Sequence, residues 1–320
     1  GPFSNFGAMA TALEPTHGTG AFTGYLDSTY DGHNIEGTVP NKIANSYTDF
    51  LASWTAQLAI LGSLIHRTKT GQGSWVDLAM YQVGTSFMGE GLLDYTFNQT
   101  RSRRIGNRHE YFAPHGCFPC KGKDEWVVLA IRNDEEWKSF CNLLGKDNLA
   151  QDNRFKDPVS RHSNQDDLDP FIKEWTRQYK QTRVMEILQN NGIPCGAVLN
   201  ALGMLSDPNF RARGFFESVE HTPDTGLGKR EYVSRGWHLE SSDVTIRGQA
   251  PQMGEANDYV LRDILGLEES DISYLDEKKA IGKQLSGASI PSMVPLSRQE
   301  ELGWVAGYDP NYKEKLELDH

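Results

Sequence analysis

The chain has 320 residues, of which 38% are hydrophobic and 23% charged, a composition typical of a globular protein with a sizeable core. No apolar run approaches the roughly 20 residues of a membrane-spanning helix, and no secretion signal opens the chain, so we predict a cytoplasmic protein with no membrane partner. The net charge of −11 argues against nucleic-acid binding, which depends on clustered Lys and Arg. The four cysteines are too few and too irregular for a disulfide framework.

The first 45 residues are rich in Gly, Thr and turn signals, and predict loops around one or two short elements. A long helix is then predicted from Tyr47 to about Gly71, a preferred helix stop. Its apolar stripe comprises Tyr47, Phe50, Leu51, Trp54, Leu58, Leu61 and Ile65. Ser46 and Asp49 have the spacing of a capping pair at the helix start.

The apolar run at residues 75–80 predicts a buried strand, and a weaker helical stretch extends to about Asn98. A β-hairpin is predicted around Gly122, and a helix after it with Asp134 as its cap. The further predicted elements are helices within 168–179 and 182–192, a strand, short helix and turn within 193–216, two strands from about residue 230, and two helices broken at Gly266.

Three groups of residues could carry chemistry. Four arginines at 101, 103, 104 and 108 form either a solvated loop or an anion site. His109, His115, Cys117 and Cys120 are zinc-ligand types, although the second CxxC pair of an ordinary structural zinc site is absent. Asp49 could attack an activated acyl group such as a thioester, and the positive end of its helix would stabilise the carboxylate. By spacing alone, a simple capping role for Asp49 is the commoner explanation.

The stretch "YTDFLASWTAQLAILGSLIHRTKTGQGSWVDLAMYQ" resembles a segment of the class III coenzyme A transferases, the family of formyl-CoA and carnitine CoA-transferases. "RIGNRHEYFAPHGCFPCKGKDEWVVLAI", "NNGIPCGAVLNALGMLSDPNFRARGFF" and "QAPQMGEANDYVLRDILGLEESDI" resemble later segments of that family, in the same order. The resemblance covers about residues 1–283.

The resemblance implies that Asp49 is the catalytic aspartate, which carries the acyl group as an anhydride and then CoA as an aspartyl thioester. It places Gly106, Asn107, Arg104 and Arg108 at the coenzyme A site, with the glycines around Gly106 as candidate oxyanion donors. Acyl-CoA and a carboxylic acid are the implied substrates, and no permanently bound cofactor and no metal are expected.

The implied fold is an α/β class III CoA-transferase fold with interlocked subunits. Large-domain portions span residues 1–110 and 227–283, a small α+β domain spans 111–226, and residues 284–320 form a tail or an arm laid on a partner. Family members begin with a Rossmann-like half that has no counterpart here. We therefore expect a companion chain or segment that carries it, in an intimate dimer or heteromer.

Three alternatives to a transferase remain. Racemases of the same superfamily pair the aspartate with a histidine from a segment about thirty residues upstream; by alignment that position is Met9, with His17 as the nearest alternative and His33 in a Gly-flanked turn. The second alternative is a noncatalytic structural subunit of such an enzyme, and the third is a zinc-stabilised binding module. The sequence favours transfer, because the racemase histidine is missing from its expected position.

Overall fold

The structure is a computed structural model that describes residues 2, 5–25, 39–43, 47–100, 104–283 and 294–315. The chain divides into two compact units, Gly1–Val198 and Leu199–His320. The described ranges combine helices with small antiparallel sheets, which confirms the α/β class. The domain boundaries at residues 110, 226 and 283 stay a prediction.

The first unit begins with short elements, as the turn-rich sequence predicts. Helices α1 (Ala10–Thr16) and α2 (Thr19–Phe22) are joined through Gly18, whose φ of 112° suits only glycine well. The two-residue strands β1 (Gly24–Tyr25) and β2 (Val39–Pro40) pair antiparallel. These elements bring the N-terminal segment back toward the long helix that follows.

The long helix is confirmed as α3 (Tyr47–Thr70), followed by Gly71 with a φ of 74°. Helices α1 and α4 (Met80–Ser86) pack against it, and α5 (Gly89–Asn98) completes this part of the unit. The predicted apolar stripe is largely exposed; its exposed members are Phe50, Trp54, Leu58, Leu61 and Ile65. An extended apolar face of α3 is therefore exposed.

The strand predicted at residues 75–80 is wrong. Residues 72–79 lie in no helix or strand, Met80 already belongs to α4, and the Trp75 side chain is 92% exposed. A strand is held by hydrogen bonds to a neighbouring strand, and none of the described strands pairs with this run. The apolar pattern alone does not supply that neighbour.

The predicted β-hairpin is confirmed as β3 (His115–Pro119) and β4 (Trp126–Ala130), with Phe118 opposite Val127. Strand β5 (Cys195–Ala197) pairs antiparallel with the other edge of β4. The resulting sheet has the order β3-β4-β5.

Helices cover this sheet and bury its core. Helix α8 (Gln165–Thr176) packs on β3, α9 (Gln181–Asn190) packs on β4 and β5, and α6 (Asp134–Leu144) packs on α8. The short α7 (Pro158–Ser163) precedes α8. The fully buried side chains include Phe118, Val127, Phe140, Phe155, Leu188 and Ile193. Each such large apolar side chain contributes about 1.5–3 kcal/mol through burial, so this is the part of the unit with the densest core.

The start of α6 corrects the cap prediction. The cap is Asn133, whose side chain accepts a hydrogen bond from the Glu136 amide, while Asp134 lies in the first turn. Asn133 has the extended backbone that a capping residue needs. The neighbouring Asp134 instead forms an ion pair with Arg161.

The second unit contains α10 (Ala201–Leu205), α11 (Pro208–Ala212) and a hairpin of β6 (Phe216–Glu220) and β7 (Lys229–Val233). Two strands were predicted from about residue 230: β7 confirms the first, the second is wrong because no strand follows β7 among the described residues, and β6 was not predicted. That strand lacks a clean polar and apolar alternation, and its ladder is formed by backbone groups that the pattern does not reveal.

The C-terminal part confirms two helical elements flanking Gly266, a π-helical turn (Tyr259–Ile264) and α12 (Glu269–Glu277). The predicted tail contains the short helices α13 (Leu296–Glu301) and α14 (Tyr312–Lys315), and its residues 284–293 and 316–320 lie outside the described residues. Among the described helices, none is both long and apolar enough to cross a bilayer.

Candidate active site

Asp49 lies in the first turn of α3, where its side chain is half-buried. The backbone N–H groups of a first turn lack intrahelical acceptors and carry the positive end of the helix dipole, which favours a carboxylate there. Its backbone carbonyl accepts a hydrogen bond from Ser53 Oγ at 2.8 Å. Ser46, the predicted capping partner, lies outside the described residues.

A buried polar contact lies directly beside Asp49. The Thr48 side chain is fully buried, and its Oγ1 is 3.0 Å from Nε2 of His17, which is only 2% exposed. The His17 ring also meets the edge of the Tyr47 ring, with centroids 6.4 Å apart. This contact ties the first turn of α3 to the end of α1.

Two of the three positions for a racemase histidine lie at the ends of α1. Met9, which aligns with that histidine, is 77% exposed just before α1. His17 is buried against Thr48, and His33 lies outside the described residues. Met9 has no titratable group, and His17 already uses Nε2 in a buried contact.

The predicted coenzyme A loop precedes β3. Gly106 turns there with a φ of 61°, and it lines a depression of about 260 Å³ together with Asn107 and Arg108. Arg104 does not line this depression; its Nη1 donates to the Gly20 carbonyl at 2.8 Å. Arg101 and Arg103 lie outside the described residues.

Arg108 is held by two carboxylates that the sequence analysis did not connect with it. Its guanidinium donates to Asp169 at 2.9 Å and to Asp166 at 2.6 Å. Asp169 also pairs with Lys173, at 3.2 Å. The charges at this edge of the depression are therefore mixed, with two cations facing two carboxylates.

Asp49 and the predicted coenzyme A loop are connected through the segment 10–25. His17 of this segment contacts Thr48, the Gly20 carbonyl accepts from Arg104, and Tyr25 lines the same depression as Gly106. Asp49 itself is not among the residues that line that depression. A nearly unbroken run of helices and turns thus touches both parts of the predicted site.

The Cys and His cluster has other partners. His109 Nδ1 accepts from the amides of Tyr111 and Phe112, and His115 Nδ1 contacts the Asn107 carbonyl at 2.8 Å. Within the described part of the chain, no three His, Cys, Asp or Glu side chains are placed to hold a metal ion.

The thiols of Cys117 and Cys120 are unreactive near neutral pH. Burial raises the pKa of Cys117, and burial together with the nearby Glu125 raises the pKa of Cys120 to about 11. These thiols are therefore protonated near neutral pH; Cys117 lies half-buried in β3, and Cys120 is buried in the core just after that strand.

Comparison with known proteins identifies the family. The model for CoA-transferase family III matches residues 5–257. The chain is 29% identical to succinyl-CoA–D-citramalate CoA-transferase of Chloroflexus aurantiacus, over 88% of this chain and 66% of that protein. It is 24% identical to the β subunit of succinyl-CoA–L-malate CoA-transferase of the same organism, over 77% of this chain and 60% of the relative.

A solved structure shows the same fold. The crystal structure of a CAIB/BAIF family protein from Brucella suis superposes with a TM-score of 0.71 at 23% identity, covering 82% of this chain and 65% of that one. The fold is thus that of the class III CoA-transferases, as the resemblance predicted. The chain belongs to CoA-transferase family III. It spans 66% or less of the length of the relatives named here.

Proposed function

We propose that this chain carries the acyl-transferring aspartate of an acyl-CoA:carboxylate CoA-transferase, with Asp49 as the nucleophile. The observation that carries the proposal is the position of Asp49 in the first turn of α3, inside the segment matched by the family model. The two Chloroflexus aurantiacus relatives are succinyl-CoA-dependent CoA-transferases, which supports a substrate pair of acyl-CoA and carboxylic acid.

The proposed reaction is a sequence of acyl exchanges on one carboxylate. Asp49 attacks the donor thioester, so an anhydride forms and CoA thiolate leaves. The thiolate attacks the aspartyl carbonyl, releases the donor acid and leaves an aspartyl-CoA thioester. The acceptor carboxylate then displaces the thiolate to form a second anhydride, and the thiolate attacks its acyl carbon. The new acyl-CoA leaves, and the Asp49 carboxylate is restored.

Each attack passes through a tetrahedral oxyanion that hydrogen-bond donors must stabilise. We assign this role to backbone N–H groups around Gly106, and coenzyme A binding to Gly106, Asn107, Arg104 and Arg108. Gly106 and Asn107 support this assignment because both are exposed. Arg108 would have to exchange a carboxylate for a phosphate oxygen, since Asp166 and Asp169 hold it.

The proposed companion chain or segment would cover two open features. The first is the apolar face of α3, on which Trp54 and Leu58 are exposed. The second is the run 72–79, which lies in no helix or strand and exposes Trp75. Exposed apolar surface favours association in water. Succinyl-CoA–L-malate CoA-transferase of Chloroflexus aurantiacus has an α and a β subunit, which supports a heteromer or an interlocked dimer here.

Light scattering on a sizing column tests the companion proposal. We expect the purified chain to form assemblies larger than its 35.9 kDa monomer, and Leu58→Glu to shift them toward monomer. Gln57→Glu is the matched control, because Gln57 is an exposed polar residue of the same helix. A stable, well-behaved monomer of the unmodified chain would contradict the proposal.

Intact-mass analysis tests the chemistry. The full chain, in a complex completed by the companion chain or segment, is mixed with a panel of acyl-CoA thioesters of mono- and dicarboxylic acids. We expect a CoA-sized adduct that is lost in Asp49→Asn and kept in Asp276→Asn, which changes an exposed aspartate of α12. If no donor gives an adduct, the noncatalytic subunit becomes the better explanation. Exchange of an α-proton without transfer would favour the racemase.

A further inference from the structure

We infer that His17 is a positioning residue for Asp49, acting through its hydrogen bond to Thr48. The two side chains are 31 positions apart in the chain, and their contact of 3.0 Å is buried. Thr48 immediately precedes Asp49 in the first turn of α3. A constraint on the Thr48 side chain is therefore a constraint on the backbone that presents the Asp49 carboxylate.

The imidazole is held from three helices. It belongs to the residue that ends α1, bonds to α3 through Thr48, and fills the space beside Gly84 of α4. A Cβ built on Gly84 would lie 2.4 Å from the His17 ring, so this position has no room for a side chain while the ring stays in place. Thr85 Oγ1 adds a contact to the His17 carbonyl at 3.3 Å.

This arrangement suits a fixed ring better than a proton carrier. His17 is buried, its Nε2 is engaged by Thr48, and its Nδ1 has no hydrogen-bond partner among the described residues. A buried polar atom that loses its only partner is strongly unfavourable, so the Nε2 contact resists opening. A helix start is otherwise prone to fray, because its first N–H groups have no intrahelical acceptor.

The part of the inference that concerns catalysis rests on the proposed function of Asp49, while the part that concerns geometry does not. If the bond between His17 and Thr48 fixes the first turn of α3, it protects the amides of residues 51–53 from hydrogen exchange. In a helix these amides donate to the carbonyls of residues 47–49. Their hydrogen exchange reports on the first turn whether or not the chain transfers CoA.

Two pairs of variants isolate the bond. Thr48→Val removes the hydroxyl with little change of shape, while Thr48→Ser keeps it. His17→Gln places an amide near the position of Nε2, while His17→Asn places one near Nδ1 and cannot reach Thr48. His66→Asn is the control, because His66 is an exposed histidine near the other end of the same helix.

We expect Thr48→Val and His17→Asn to speed exchange at residues 51–53 by about tenfold, the effect of losing one buried hydrogen bond. Exchange at residues 60–68 should stay within about twofold, and Thr48→Ser, His17→Gln and His66→Asn should resemble the parent. Equal exchange at residues 51–53 in both members of each pair would overturn the inference. Equally faster exchange along the whole of α3 would overturn it as well, because it would mark a general structural role.

The effect of His17 on catalysis is measured as kcat and KM in the same variants. We expect kcat to fall by about tenfold in Thr48→Val and His17→Asn while KM for acyl-CoA stays within about twofold, with rescue in Thr48→Ser and His17→Gln. A parent chain that forms no Asp49 adduct would refute the proposed function, and the exchange result would still decide whether His17 fixes the first turn. An unchanged kcat with altered exchange would overturn the positioning role.

Discussion

Gly84→Ala is expected to destabilise the protein, although the same change inside a helix usually does the opposite. Alanine is better than glycine in a helix interior by about 0.5–1 kcal/mol. The added Cβ would however lie 2.4–2.6 Å from three atoms of the His17 ring, where ordinary contact is 3.4–4 Å. The ring cannot move without stretching its bond to Thr48. Overpacking of this kind costs about 1–3 kcal/mol, and a broken buried hydrogen bond adds to it.

The net expectation is a loss of about 1–3 kcal/mol in the free energy of unfolding, measured by urea denaturation with an unchanged m-value. Gly62→Ala is the matched control: Gly62 lies inside α3, and a Cβ there meets nothing within 4 Å. We expect it to stabilise the protein by about 0.5–1 kcal/mol. A Gly84→Ala variant as stable as the parent would refute the reasoning, because the ring would then have room to move.

Two further predictions concern charged groups. Asp169→Asn should lower the free energy of unfolding by about 1–2 kcal/mol, whereas Asp166→Asn should leave it almost unchanged. The Arg108 guanidinium binds both carboxylates, but the Asp169 side chain is only 19% exposed and the Asp166 side chain is 92% exposed. Equal losses in urea denaturation would contradict this. Burial raises the pKa of Glu136, but hydrogen bonds from Arg132 outweigh it, and the pKa lies below its ordinary value of 4.5. A lowered pKa stabilises the fold above that ordinary value, so the stability difference between the parent and Glu136→Gln should be largest at neutral pH and should shrink as the pH falls below 4.5. A pH-independent difference would count against the paired carboxylate.

The sequence predicted the features that depend on neighbouring residues. Helix α3 was found because its apolar period, its start near Tyr47 and the stop at Gly71 are all local. The hairpin of β3 and β4 was found for the same reason, since two apolar runs flank a turn at Gly122. Local periodicity also predicted the positions of α6, α8 and α9 along the chain.

The features that the sequence missed depend on residues far apart in the chain. The bond between His17 and Thr48 joins positions 31 residues apart, and Arg108 meets Asp169 across 61 residues. No spacing rule relates such pairs, because the fold alone brings them together. The strand prediction at 75–80 failed in the opposite way. The local pattern of this run suits a strand, but a strand also needs a neighbouring strand that the pattern cannot supply.

The two sides of the first part of α3 have different roles in the proposed enzyme. One side carries the buried Thr48, which His17 fixes from α1. The other presents exposed apolar residues such as Phe50 and Trp54, which the proposed companion would cover. Asp49 lies between them, half-buried. We therefore propose that the chain itself holds the Asp49 backbone and that association with the proposed companion completes the walls of the acyl pocket. Substitutions at Thr48 should act mainly on kcat, and substitutions at Trp54 should act first on assembly.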